Sequence, residues 1–164
     1  LETIVNEYEI KPHNTYNIDE VGFLLGLGQS ERVLEVIRNP RESGQLKYRV
    51  QNGTWEFVTV IEGVCADGTI LNPTIILKAE EFIAEWFKKV KGVPEDILFG
   101  RSHNGWTDEK MARKYLERNF DSNSITAQKA AGEYRLLLFD GHSSHVNIGF
   151  LEFCVSQKII PYCL

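Results

Sequence analysis

The stretch Tyr134–Phe139 (YRLLLF) is nearly continuous in apolar residues and runs straight into Asp140-Gly141. A half-exposed strand alternates apolar and polar residues, whereas one that does not alternate is covered on both faces. A strand of that kind demands packing layers on each side, which points to an α/β sheet carrying helices. An acid at its end lies where open α/β sheets gather ligands, beyond the carboxyl ends of the strands. Asp140 therefore reads as a cation holder or as the cap of a following helix, and Gly141 lets the chain turn sharply.

The other elements fit that frame. Thr15–Leu25 (TYNIDEVGFLL) is rich in β-branched and aromatic residues and predicts a strand interrupted by two acids. Arg32–Arg38 predicts a short strand inside a glycine-containing stretch. Trp55–Ala66 and Thr69–Leu77 predict a hairpin joined at Asp67-Gly68, a pair suited to a turn that needs positive φ. Glu80–Val90 spaces Phe82, Ile83, Trp86, Phe87 and Val90 as a helix does. A short strand follows around Ile97–Gly100. A second helix is expected from Thr107 as N-cap, with Met111, Tyr115, Leu116 and Phe120 on its apolar face. Ser143 or Ser144 is expected to cap a helix bearing Val146, Phe150, Phe153 and Cys154, and Ile159–Leu164 reads as a last buried strand. The expected organisation is one domain over residues 1–164. The chain opens on Leu1 and its single methionine is Met111, which suggests a piece of a longer protein.

Asp19 and Glu20 stand inside the first apolar strand. A buried carboxylate is costly unless paired, hydrogen-bonded or bound to metal. Neighbouring strand residues point to opposite faces, so only one of the two should serve a given site. The other reading is a strand end at the surface. Acids on two separate apolar strands, Asp19 and Asp140, suit Mg²⁺, which takes a few carboxylates along with waters and phosphate oxygens. His142 and His145 follow at a spacing that could reach a metal, but no third nitrogen or sulfur ligand is near in sequence, so they read as loop or cap residues. Gly26-Leu27-Gly28 lacks the third glycine of a dinucleotide fingerprint, and Ser143 and Ser144 lie outside any Gly-x-Ser-x-Gly elbow. Trp55, Trp86 and Trp106 read as core. Cys65, Cys154 and Cys163 form no metal-ligand spacing and read as small buried hydrophobes.

Charge limits the partners. The formal net charge is −5, and a domain that grips DNA through bulk charge should be basic. The one locally basic stretch runs from Gln29 to Thr54, with five basic residues against three acidic ones, and reads as a solvated surface hairpin. No apolar run is long enough to cross a bilayer, and the chain opens with no secretory signal pattern.

Two motifs carry a family likeness. Tyr16–Phe23 (YNIDEVGF) resembles the N-x-D-E-x-G-F strand of pogo-like transposases, the group with Tigger, jerky and centromere protein B-related members. Leu136–His145 (LLLFDGHSSH) resembles the group's second acidic motif. Trp55–Gly63 (WEFVTVIEG) and Asn104–Thr107 (NGWT) are similar in kind and order to fungal members. The resemblance implies a ribonuclease H-like mixed sheet with helices on both faces, in the core of a DDE superfamily endonuclease. It implies Asp19 and Asp140 as catalytic, metal-holding acids, Glu20 as a non-catalytic neighbour, and Mg²⁺ or Mn²⁺ as cofactor.

The third acid of such a core follows the final strand, so the chain is expected to be cut short before it, beyond Leu164. DNA, as transposon ends and target, is the implied partner, reached mainly through helix-turn-helix modules absent here. A nuclear location, no membrane, and possible homo-oligomers of the full-length protein go with that reading. The alternatives are a domesticated descendant that binds DNA or protein without cutting, and an unrelated metal-dependent phosphohydrolase built on the same acid pair.

Overall fold

The computed structural model describes residues 1–25, 56–83, 92, 96–140 and 147–164. Arg32–Arg38, the basic stretch, the dinucleotide-like glycines, Trp55, Trp86, Val146, both serines and both histidines near Asp140 lie outside those residues.

A short helix α1 (Glu2–Glu7) and a 3-10 turn (Pro12–Asn14) lead into β1 (Thr15–Leu25), over the span its β-branched and aromatic residues predict. Then come β2 (Glu56–Cys65), β3 (Thr74–Lys78), β4 (Leu98–Ser102), α2 (Glu109–Phe120), α3 (Ile125–Ala130), β5 (Arg135–Phe139), α4 (Ile148–Ser156) and β6 (Ile159–Cys163). They form one six-stranded sheet in the order β4-β3-β2-β1-β5-β6. β2 runs antiparallel to β1 and β3, whereas β4 is parallel to β3, β5 to β1 and β6 to β5. The result is the expected α/β mixed sheet.

The pleat sorts the side chains. Tyr16 and Ile18 on β1, Ile61 and Cys65 on β2, Ile76 on β3, and Leu137 and Phe139 on β5 share the core face. Met111, Tyr115, Leu116 and Phe120 of α2 and Phe150, Phe153 and Cys154 of α4 complete this core, as their helical spacing predicts. Edge-to-face ring pairs fix the layers: Tyr16 on Phe120 at 5.3 Å and Phe139 on Phe150 at 5.4 Å between centroids. On the other face the N-terminus of α1 donates to the Tyr162 hydroxyl at 3.4 Å. That face is more open around β1 and β2, where Val21, Phe23 and Val64 are exposed.

The hairpin turn is Cys65–Gly68, closed by Gly68 N–H donating to the Cys65 carbonyl at 2.9 Å. Only Gly68 takes positive φ, at +91°, and the Asp67 carboxylate accepts from the Thr69 amide at 3.0 Å. After a bridge between Val64 and Ile70, β3 begins only at Thr74, past Pro73, which has no N–H to give a ladder.

Several expectations are corrected. The N-cap of α2 is Asp108, whose carboxylate accepts from the Met111 amide at 2.8 Å, while Thr107 is buried. The cap of α4 is Asn147, accepting from the Phe150 amide at 2.8 Å. Residues 80–83 are not helical, and the rest of that predicted helix lies outside the described residues. Trp106 is 53% exposed and lies over Phe57 at 4.3 Å instead of entering the core. Cys163 is exposed, although Cys65 and Cys154 are buried as expected. β6 is an edge strand with only Ile159 fully buried.

Two features escaped the sequence reading. α3 is a single turn and a half, capped by Ser124 and burying only Thr126 and Ala130. Arg135 sits in the apolar strand β5 yet is 3% exposed. Its guanidinium donates to Thr126 Oγ1 and the Gln157 carbonyl, both at 2.7 Å, and lies over the Phe120 ring, so the buried charge is satisfied.

Candidate active site

β5 ends at Phe139, opposite Ile18 of β1, while β1 continues to Leu25 alongside β2. The step between the two strands opens a place where Asp140 leaves β5 next to Asp19. Ala66 N–H donates to the Thr15 carbonyl, so odd-numbered residues of β1 direct their backbone groups toward β2. Even-numbered ones, Glu20 among them, direct theirs toward the β5 side. The Asp19 carboxylate accepts from the Glu20 amide at 2.8 Å. That bond draws it around to the side on which β5 has ended.

Asp19, Glu20 and Asp140 accordingly border one hollow, floored by Ile18, Ile61 and Phe139 and walled by Ala112, Tyr115 and Leu116 of α2 and Phe150 of α4. Its volume is about 30 Å³, close to the share of a single water in the liquid. The acids expected to approach each other do line the same space. The expectation that alternation would leave only one of Asp19 and Glu20 at a given site is corrected: both border it, Glu20 from the face that α2 covers and Asp19 through its bond to the next amide. Asp19 and Asp140 are exposed, so solvent and a ligand have access to their carboxylates, whereas Glu20 is half-buried with its Oε1 shut away from solvent.

The walls are dry. Tyr115 is 1% exposed, and burial pushes its phenol well above the usual range, with the charge of Glu62 adding to the shift. It stays neutral at any working pH. Hard carboxylate oxygens over an apolar floor suit a small divalent cation that keeps most of its waters. Among the described residues no three acid, histidine or cysteine side chains converge as a complete metal cluster.

A larger groove of about 600 Å³ adjoins the hollow, sharing Ala112, Leu116 and Phe150 with it and running between the N-terminal ends of α2 and α4. Arg113 spans it, donating to Glu117 at 2.7 Å and to the Gly149 carbonyl at 3.0 Å while lying over the Phe153 ring.

On the β3–β4 side, the Asn104–Thr107 segment crosses the core face. The Asn104 side chain accepts from the Trp106 amide at 3.0 Å, and the Gly105 carbonyl accepts from the buried Thr59 hydroxyl at 2.7 Å. Gly105 has φ +82°, and a Cβ there would lie 2.8 Å from the Phe57 carbonyl, so both conformation and space require glycine.

Comparison with known proteins gives three findings. The chain is 30% identical over 153 residues to the MFS-type transporter clz9 of Cochliobolus lunatus, a match covering 93% of this chain and 16% of that protein. Among the described residues no helix is long and apolar enough to cross a membrane. The Mos1 transposase paired-end complex with left transposon end aligns over 98% of this chain and 38% of its own, at 13% identity and a TM-score of 0.48. The DDE superfamily endonuclease family matches residues 54–164, from β2 through Asp140 to the last strand. With more than half its length matched, the chain belongs to the DDE superfamily endonucleases.

Proposed function

We propose that Asp19 and Asp140 are catalytic acids of a transposase-derived, metal-dependent DNA endonuclease core, and that together they hold a Mg²⁺ or Mn²⁺ ion. The observation that carries the reading is that both carboxylates border one hollow at the step where β5 ends beside β1. The motif resemblance at Tyr16–Phe23 and Leu136–His145 supports the same two residues.

When bound, a divalent ion supplies Lewis-acid stabilisation of charge on a phosphodiester. The chain's own part is to set the oxygens. The Glu20 amide orients the Asp19 carboxylate, and the buried strand β5 delivers Asp140 at a fixed height. Tyr115, Leu116 and Phe150 keep bulk water from the floor. Two ions about 4 Å apart need more negative charge than two carboxylates offer. In this proposal a further acid after Leu164, in a longer chain, completes the centre. The match to 16% of a longer relative is compatible with such a chain. DNA is the substrate, and a nuclear location goes with it.

The test is nicking of supercoiled plasmid with Mg²⁺ or Mn²⁺, comparing residues 1–164 with a longer chain that includes the downstream acid. Nicking by the longer chain alone, lost in both Asp19→Asn and Asp140→Asn, is the expected outcome. Full activity after either substitution would show the acids to be misassigned. DNA binding without nicking by the longer chain would favour the non-cutting descendant.

A further inference from the structure

The chain is acidic as a whole, and most of its described cations are already engaged. Lys11 is paired with Glu133 and Lys129 with Asp67, Arg113 is held by Glu117, and Arg135 is buried. Lys110, Lys114 and Arg101 differ. Each is exposed, and none has an ion pair or a side-chain hydrogen bond among the described residues. They come together at a polar cleft of about 320 Å³ between the end of β4 and the N-terminal half of α2. Two acids border the same cleft, and both are occupied: Asp108 caps the helix, and Glu80 is paired with His103. Counted with Glu109 in the first turn of the helix, three carboxylates stand against the three cations, so what sets Arg101, Lys110 and Lys114 apart is that no partner among the described residues holds their charged ends.

Position gives this patch its meaning. Lys110 also borders the 600 Å³ groove, and that groove shares Ala112, Leu116 and Phe150 with the acid hollow. A continuous path therefore runs from Asp19 and Asp140 along the groove to Lys110, and over it to Lys114. On a helix, residues four apart stand one above the other on the same face, so Lys110 and Lys114 form a short cationic rail beside that path.

We infer that the N-terminal half of α2 is a nucleic-acid backbone contact, in which Lys110 and Lys114 bind the phosphates that flank a strand lying in the acid hollow. The inference rests on the reading of a DNA phosphodiester substrate and adds to it the direction in which the strand leaves the centre. The contact is electrostatic and blind to sequence, because exposed lysines reach phosphates and not base edges.

The experiment is fluorescence anisotropy of a labelled duplex of arbitrary sequence with residues 1–164, without divalent ions, over a NaCl series starting near ~20 mM. The wild-type chain is expected to bind weakly, with affinity falling steeply as salt rises. Lys110→Gln combined with Lys114→Gln should flatten the slope of log affinity against log salt by about 1.8, two phosphate contacts at about 0.9 each. The pair Lys110→Arg and Lys114→Arg should keep the wild-type slope. Lys11→Gln with Lys158→Gln removes the same charge elsewhere and should leave the slope unchanged. No binding at the lowest salt, an unchanged slope in the first variant, or an equal flattening in the control would overturn the inference. Because no metal is present, failure of the catalytic reading does not touch this result. Plasmid nicking lost in the longer chain with binding intact would bear on the acids alone.

Discussion

Replacing Gly63 with alanine puts a single methyl on β2 against the Tyr115 side chain of α2. The new Cβ would fall well inside contact distance of the Tyr115 hydroxyl, 2.7 Å from Leu71 Cδ1 and 3.1 Å from Ile18 Cγ2. Alanine is favoured over glycine in a strand interior by roughly 0.5–1 kcal/mol, while forcing a methyl into a filled core costs about 1–3 kcal/mol. With three neighbours too close, the upper part of that range applies, and Gly63→Ala should destabilise by about 1–2 kcal/mol. The main obstacle is the Tyr115 hydroxyl, which is buried and has no hydrogen-bond partner among the described residues. Tyr115→Phe removes an unsatisfied group whose burial costs roughly 1–3 kcal/mol, so alone it should be neutral or stabilising. In that background the remaining contacts are side-chain tips that can shift, and Gly63→Ala should lose about half its effect. The coupling should be about 1 kcal/mol, inside the range for touching residues. Urea unfolding of the four proteins, followed by circular dichroism, reads all these terms. Equal stability of Gly63→Ala and wild type, or a coupling below about 0.3 kcal/mol, would refute the account of how α2 is seated over the acid hollow.

Two further outcomes follow from individual side chains. The Lys129 ammonium, together with the Thr69 amide, holds the Asp67 carboxyl well below the usual range. A carboxyl depressed on folding adds stability above its unfolded pKa of about 3.9 and loses it as pH falls toward the folded value. The melting temperature of wild type should therefore exceed that of Asp67→Asn at pH 7, with the gap starting to narrow below about pH 4 and closing only as pH approaches the folded value; a gap unchanged from pH 7 down to about pH 2 would contradict this. Burial pushes the Cys154 thiol up to about 12, while Cys163 is exposed. Iodoacetamide at pH 8 should alkylate Cys163 and spare Cys154 until the chain unfolds, as read by peptide mass spectrometry.

Most of the sheet was legible because burial writes itself as periodicity. β1, β5 and the apolar face of α2 fall where their residues predict. The ends were less legible, since several polar residues in a row are chemically able to cap: Thr107 and Asp108 both suit the role, and only packing decides that the threonine turns inward. α3 left no signal because one and a half turns burying a threonine and an alanine have no apolar stripe to show. Arg135 hid inside an apolar run, as its partners are a hydroxyl and a carbonyl that sequence does not bring near. Trp106 was expected in the core because residue type does not say which side of a loop it takes. At the site, the two acidic strands were visible, but the turn of Asp19 toward β5 was not. It depends on a bond to the next amide at the point where the neighbouring strand stops.

The claim at the centre is that Asp19 and Asp140 share a cation. Titrating residues 1–164 with Mn²⁺ and following the free-ion signal by electron paramagnetic resonance tests it without any need for turnover. The account predicts uptake of one weakly held ion per chain, abolished by either Asp19→Asn or Asp140→Asn with the fold intact by circular dichroism. Uptake that survives either substitution, or no uptake by the wild-type chain, would contradict it.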